Sequence, residues 1–77
     1  MNIGSIYMNN LKLLYKDSSL KLIIEEDIIG FYLIVYRDPL SEISNEDYLL
    51  DNLEDALRQA KELFGVSVEQ WQKEGQA

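Results

Sequence analysis

The chain predicts an α+β fold: a three- or four-stranded antiparallel meander sheet, one amphipathic helix across one face, and a short C-terminal helix. Three observations carry that expectation. Residues 11–36 alternate apolar and polar in runs broken by turn formers, the pattern of half-buried strands. Residues 53–64 repeat apolar side chains at helical spacing. The single proline, Pro39, falls between the two regions. At 77 residues the chain reads as one domain over 1–77, with 1–9 and 73–77 expected to be poorly ordered.

Each element has a local reason. Leu11, Leu13 and Tyr15 share one parity, then Asp17, Ser18 and Ser19 supply a turn. Leu20, Leu22 and Ile24 repeat the alternation before Glu25, Glu26 and Asp27. After Gly30 comes a β-branched and aromatic run over 31–36. Two hairpins joining strands near 10–16, 20–26 and 31–37 account for these runs. Pro39 closes the third strand because it cannot donate to a ladder. Residues 40–46 read as loop, and residues 47–50 can form a fourth strand.

The helix is expected over 52–64. Leu53, Ala56, Leu57, Ala60, Leu63 and Phe64 make one apolar stripe. Asp51 or Asn52 can cap its first amides, Asp51 with Glu54 having capping-box spacing. Glu54 and Asp55 complement the positive helix end, and Gly65 can close the helix in the left-handed conformation. Ser67 and Gln70 repeat the capping-box spacing for a second short helix. Val66 and Trp71 flank it as a hydrophobic staple, so Trp71 is expected as a packing anchor rather than a ligand platform.

A sheet with one helix has only one face covered. Leu11, Leu13, Leu20, Leu22, Ile24, Phe31, Leu33 and Val35 are the expected helix-facing set. The opposite parity should then be polar, and Lys12, Lys16, Lys21 and Glu25 are. Leu14, Ile23, Tyr32, Ile34 and Tyr36 are not, and together they make an apolar patch of the kind that marks an interface. Two occupants suit it: a second copy of the chain, or its own residues 1–9 or Trp71 segment folded over; the reverse parity would swap core and patch and keep the imbalance.

The net charge of −7 is concentrated. Residues 1–37 and residues 58–77 each balance acids against bases. Asp38, Glu42, Glu46, Asp47, Asp51, Glu54 and Asp55 lie between them with no Lys or Arg. Such a segment repels a phosphate backbone, which argues against direct nucleic-acid binding; it either serves solubility alone or attracts a basic protein. Glu46, Asp47, Asp51, Glu54 and Asp55 are expected around the helix entrance as that protein's contact.

With no Cys and no His, disulfides, Cys or His zinc sites, thiol nucleophiles and imidazole bases all fall away. The acids of residues 25–27 and 46–47 read as solvated turn residues rather than a catalytic pair, so the chain is not expected to be an enzyme. No cofactor motif is present, and the four glycines stand apart. No run reaches the roughly 18 apolar residues of a membrane helix, and the start lacks the pattern of a secretory signal. Cytoplasmic location is the expectation.

Residues 21–64 also carry a family likeness. Glu25, Glu26 and Asp27 with Gly30, Phe31 and Tyr32 form an acidic turn followed by Gly and aromatics. Asp38, Pro39 and Leu40 stand where a Pro-Asp-Leu-Pro-Gly strand end would be. Asp51, Asn52, Leu53, Glu54, Asp55 and Ala56, with Ala60 following, match a helix start of the Asp-Thr-x-Glu-Glu-Ala type. This arrangement resembles the HicB-type antitoxin family, while Phe64, Gly65, Val66 and Trp71 are similar to small bacterial immunity-style proteins. The resemblance implies a β-rich sheet with one helix more than any particular function; the concentrated charge is what suggests neutralising or regulating a basic protein, as an antitoxin or immunity protein does. The expected function is a small acidic protein-binding domain acting on a basic protein. Tyr32, Ile34 and Tyr36 serve the alternative, a homo-oligomeric structural or accessory domain.

Overall fold

In the computed structural model, which describes residues 10–74, the alternating half of the chain forms the predicted strands. They are β1 (Lys12–Lys16), β2 (Lys21–Asp27) and β3 (Gly30–Tyr36); the possible fourth strand forms as β4 (Glu46–Leu50), followed by α1 (Leu53–Phe64) and a two-residue β5 (Gln72–Lys73). The sheet is antiparallel in the order β4-β3-β2-β1-β5. The first four strands are a meander, and β5 returns to pair with β1.

The sheet therefore has five strands rather than three or four. β4 opens one residue earlier than expected, at Glu46, and Lys73 is a strand residue. The second helix is a single 3-10 turn, Val68–Gln70. Gln70 Oε1 accepts from the Ser67 N–H at 2.8 Å and from its hydroxyl at 3.0 Å, so the predicted box residues do meet. The disorder expected over 1–9 and 75–77 lies outside the described residues.

Turn chemistry explains the meander. Asp17 Oδ1 accepts from the Ser19 and Leu20 amides at 2.8 and 2.9 Å, closing the β1–β2 turn. Between β2 and β3 only Ile28 and Ile29 intervene. Neither has positive φ, so this is not the mirror-image turn most two-residue hairpins use; Gly30 takes the unusual backbone instead, at φ 155°. A Cβ on Gly30 would meet the Leu50 carbonyl oxygen at 2.4 Å, which places the hairpin tip against the end of β4.

The core is one layer between sheet and helix. Leu22, Ile24, Leu33 and Val35 are fully buried beneath Ala56 and Ala60, whose small side chains let the helix approach closely. Val66 is also buried, and Leu13, Tyr15, Leu20, Phe31, Tyr48, Leu50, Leu53, Leu57, Phe64 and Trp71 pack around them. Leu11 falls outside this cluster. Its amide and carbonyl bond instead to the Glu26 carboxylate and amide, at 3.0 and 2.9 Å.

Leu63 is 51% exposed and leaves the predicted stripe. At 3.6 residues per turn it lies about 60° from Ala60, on the shoulder of the buried face. Asn52, not Asp51, is the helix cap: its side chain accepts from the Asp55 amide at 2.8 Å. Gly65 closes the helix at φ 74°, donating to the Lys61 carbonyl at 2.9 Å. Trp71 sits edge-on to Tyr15, ring centres 6.4 Å apart, on the helix side of the sheet. Of the two segments of this chain expected to fold over the other face, it is thereby removed, and residues 1–9 lie outside the described residues.

Candidate protein-binding surfaces

The cross-strand register assigns every sheet residue to a face. Opposite the helix lie three rows: Lys12–Glu25–Tyr32–Leu49, then Gln72–Leu14–Ile23–Ile34–Asp47, then Lys16–Lys21–Tyr36. The apolar set expected on this face is therefore contiguous, with Leu49, 49% exposed, extending it along β4. Among the described residues no helix or strand packs on it. Lys21 Nζ lies 4.2 Å from the Tyr36 ring centre, so part of the ring surface already meets a cation.

The five acids do not form one patch. β4 separates Glu46 and Asp47 from Asp51, at roughly 3.4 Å per residue, by about the length of the strand. Glu46 points to the helix side, and Arg37 grips its carboxylate at 2.8 and 3.1 Å while the Tyr48 hydroxyl donates at 2.9 Å. The Arg37 bond, then the Tyr48 bond, hold Glu46 below the usual carboxylate range, and Tyr48 is pushed up in turn by donating to Glu46. Asp47 points to the open face beside Ile34 and accepts from the Ser44 hydroxyl at 3.1 Å.

Asp51, Glu54 and Asp55 do surround the helix entrance, Asp51 and Glu54 exposed and Asp55 paired with Arg58. What the sequence reading missed is their neighbour. Because Gly30 abuts Leu50, the β2–β3 hairpin tip projects at the same end of the sheet, and there Ile28 is 94% and Ile29 66% exposed. Exposed Glu25 and Asp27 lie just behind the tip. The signal was present: isoleucine is a poor choice for both residues of a two-residue turn, where Asn and Gly are favoured. Glu26, by contrast, is committed to the Leu11 amide.

Two further surfaces lie away from the hairpin tip. Leu40 and Ile43, 85% and 79% exposed, stand on the β3–β4 loop. A cleft of about 240 Å³ lies beside β1 and β5, lined by Leu14, Tyr15, Lys16, Gln70 and Gln72; it is smaller than most ligand pockets. No group of three or more acids able to hold a metal ion occurs among the described residues. No helix among them is long and apolar enough to cross a membrane.

No family model, curated protein or solved structure matches this chain.

Proposed function

We propose that this chain is a protein-binding domain that takes a basic protein on the acidic, isoleucine-tipped end of its sheet. The observation that carries the reading is the exposure of Ile28 and Ile29 at a hairpin tip set among Glu25, Asp27, Asp51 and Glu54. Two protruding apolar side chains favour burial in a partner's pocket, worth roughly 1.5–3 kcal/mol each when complete. The surrounding carboxylates select a pocket rimmed by Lys or Arg and speed encounter with it. An anionic membrane is repelled by the same charge, as is a nucleic acid.

The role is binding rather than catalysis, and restraint of a basic protein in the cytoplasm is a task this surface suits. It is also the kind of task an antitoxin or immunity protein performs. Glu46 has no part in it, being held by Arg37.

The test is capture from the native host at low salt, comparing the wild-type chain with an Ile28→Ser, Ile29→Ser variant and an Asp27→Lys, Asp51→Lys variant. Neither pair is in the core or the helix cap, so all three proteins should fold. A basic protein held by the wild type and lost from both variants is expected, with retention falling as salt shortens the Debye length toward about 8 Å. Equal recovery by all three would refute the assignment.

A further inference from the structure

The open sheet face is a second surface, which shares Glu25 with the hairpin tip but neither Ile28 nor Ile29, and its charges are unevenly placed. Lys12 and Lys16 lie on β1 and Lys21 on β2, while Asp47 lies on β4. Between them run Leu14, Ile23 and Ile34, with Glu25 opposite Tyr32. A strongly basic partner meets three lysines here, and a strongly acidic one meets Glu25, Asp47 and the overall −7 charge. One surface offers the complement of both halves at once: the same face of another copy.

We infer that this face pairs with a second copy of the chain about a two-fold axis parallel to the strands, between β2 and β3. A closed pair requires a two-fold, and for two sheets face to face the axis lies in the plane between them. The two limiting directions differ sharply. An axis across the strands lays β1 on the copy's β1 and brings Lys12 over the copy's Lys16, twice. An axis along the strands lays β2 on the copy's β3 and β1 on the copy's β4.

In the second arrangement Ile23 meets the copy's Ile34 at the centre. Lys21 comes over the copy's Tyr36, repeating the cation–ring contact it makes within its own chain at 4.2 Å. Glu25 comes over the copy's Tyr32, a hydroxyl donor for its carboxylate. Asp47 comes over the Leu14 row, with Lys12 and Lys16 one rung to either side. Aligned sheets cross at about −30°, a rotation long lysine side chains can follow.

The contact is small. Four strands about 4.8 Å apart and five residues long give a flat footprint on the order of 300 Å², against about 800 Å² per partner in stable complexes. Self-association should therefore be weak and visible only at high concentration.

Sedimentation equilibrium of the full chain tests this at about 150 mM salt, where repulsion between the net charges is screened within about 8 Å. The protein range runs from about 20 μM to about 1 mM, which brackets weak dissociation constants. The wild type should pass from monomer to dimer. Lys12→Glu with Lys16→Glu in one variant, and Asp47→Lys in another, should each weaken dimerisation at least tenfold. Mixed in equal amounts, the two variants should dimerise again, because each now carries the charge the other lacks. In the wild type, concentration-dependent amide shifts should centre on Ile23 and Ile34 and spare Ile28 and Ile29.

A wild-type monomer across the whole range would overturn the inference and leave the face to residues 1–9 or to a foreign protein. Dimerisation untouched by either variant, or a mixture that fails to recover it, would overturn it too. Since Ile28 and Ile29 are outside this contact, its failure leaves the basic-partner reading standing, and the reverse holds as well.

Discussion

The Glu46 carboxylate and the Tyr48 hydroxyl share a hydrogen bond of 2.9 Å, and their titrations move in opposite directions: Glu46 down, by the Arg37 bond first and this one second, and Tyr48 up, by this one first. Glu46 is lowered, so the folded state binds its proton less readily than the unfolded chain does. Its contribution to stability is in place above the ordinary glutamate pKa and is lost as pH falls through the lowered value. Tyr48 is raised, so its contribution is in place below the ordinary tyrosine pKa and is lost as pH rises through the raised value. Asp17 and Tyr15 repeat the arrangement, with Tyr15 donating to Asp17 at 2.5 Å. Both pairs therefore favour the fold across the interval from roughly pH 5 to pH 9. Tyr48→Phe should move the Glu46 titration upward toward the ordinary range without fully restoring it, because Arg37 remains. Carboxyl-carbon NMR across an acid titration reads this directly, and an unmoved Glu46 would mean that the hydroxyl bond is not formed in solution.

At the level of the element, α1 is fitted to the sheet by two alanines. Ala56 and Ala60 are fully buried over Leu22, Ile24, Leu33 and Val35, leaving no room for extra methylenes. Ala60→Leu should destabilise the fold by about 1–3 kcal/mol through overpacking. Leu63→Ala, in the next turn but half exposed, should cost under about 1 kcal/mol. Urea unfolding of the two variants makes the comparison, and equal losses would show that the helix rotates from the described position. The helix and the first three strands were readable because each repeats its period, Leu22 and Ile24 or Leu33 and Val35 along a strand and Leu53 through Phe64 along the helix, whereas β4 stayed open as a possible strand because Glu46–Leu50 is too short to show a period. β5 was not readable, since Gln72 and Lys73 show no period and become a strand only by meeting Leu14 and Leu13. Choosing between Asp51 and Asn52 as the cap was equally beyond the pattern, because both residue types cap well.

For the whole molecule, the fold regroups charge in ways that counting along the chain cannot anticipate. The acidic segment reads as one block, yet β4 carries Glu46 and Asp47 to one end of the sheet and Asp51 and Glu54 to the other. Glu25 and Asp27 belong to a stretch whose charges balance in the sequence, and they join Asp51 and Glu54 through the contact of Gly30 with Leu50. The open apolar face was legible, because strand parity alone separates Leu14, Ile23 and Ile34 from Leu13, Leu22 and Leu33. The hairpin itself lay in the expected gap between strands 20–26 and 31–37, but the exposure of Ile28 and Ile29 was not read from it, because periodicity gives a turn residue no face.

The return of β5 to β1 has a kinetic side. The hairpins of β1, β2 and β3 close short loops, whereas Leu13 must wait for Lys73 across nearly the whole chain. A strand so short and so distant in sequence is the first to detach and the last to dock. Amide hydrogen exchange should show it: the Leu14 amide, facing β5, should exchange by local opening at rates that ignore mild denaturant. The Ile34 amide, which faces β2 in the middle of the sheet, should exchange only with global unfolding. Equal protection of the two would mean that β5 holds as firmly as the meander. In each local opening β1 stands as a bare edge able to accept a strand from another chain. The lifetime of a two-residue pairing thus governs how often this sheet is open to growth on that side.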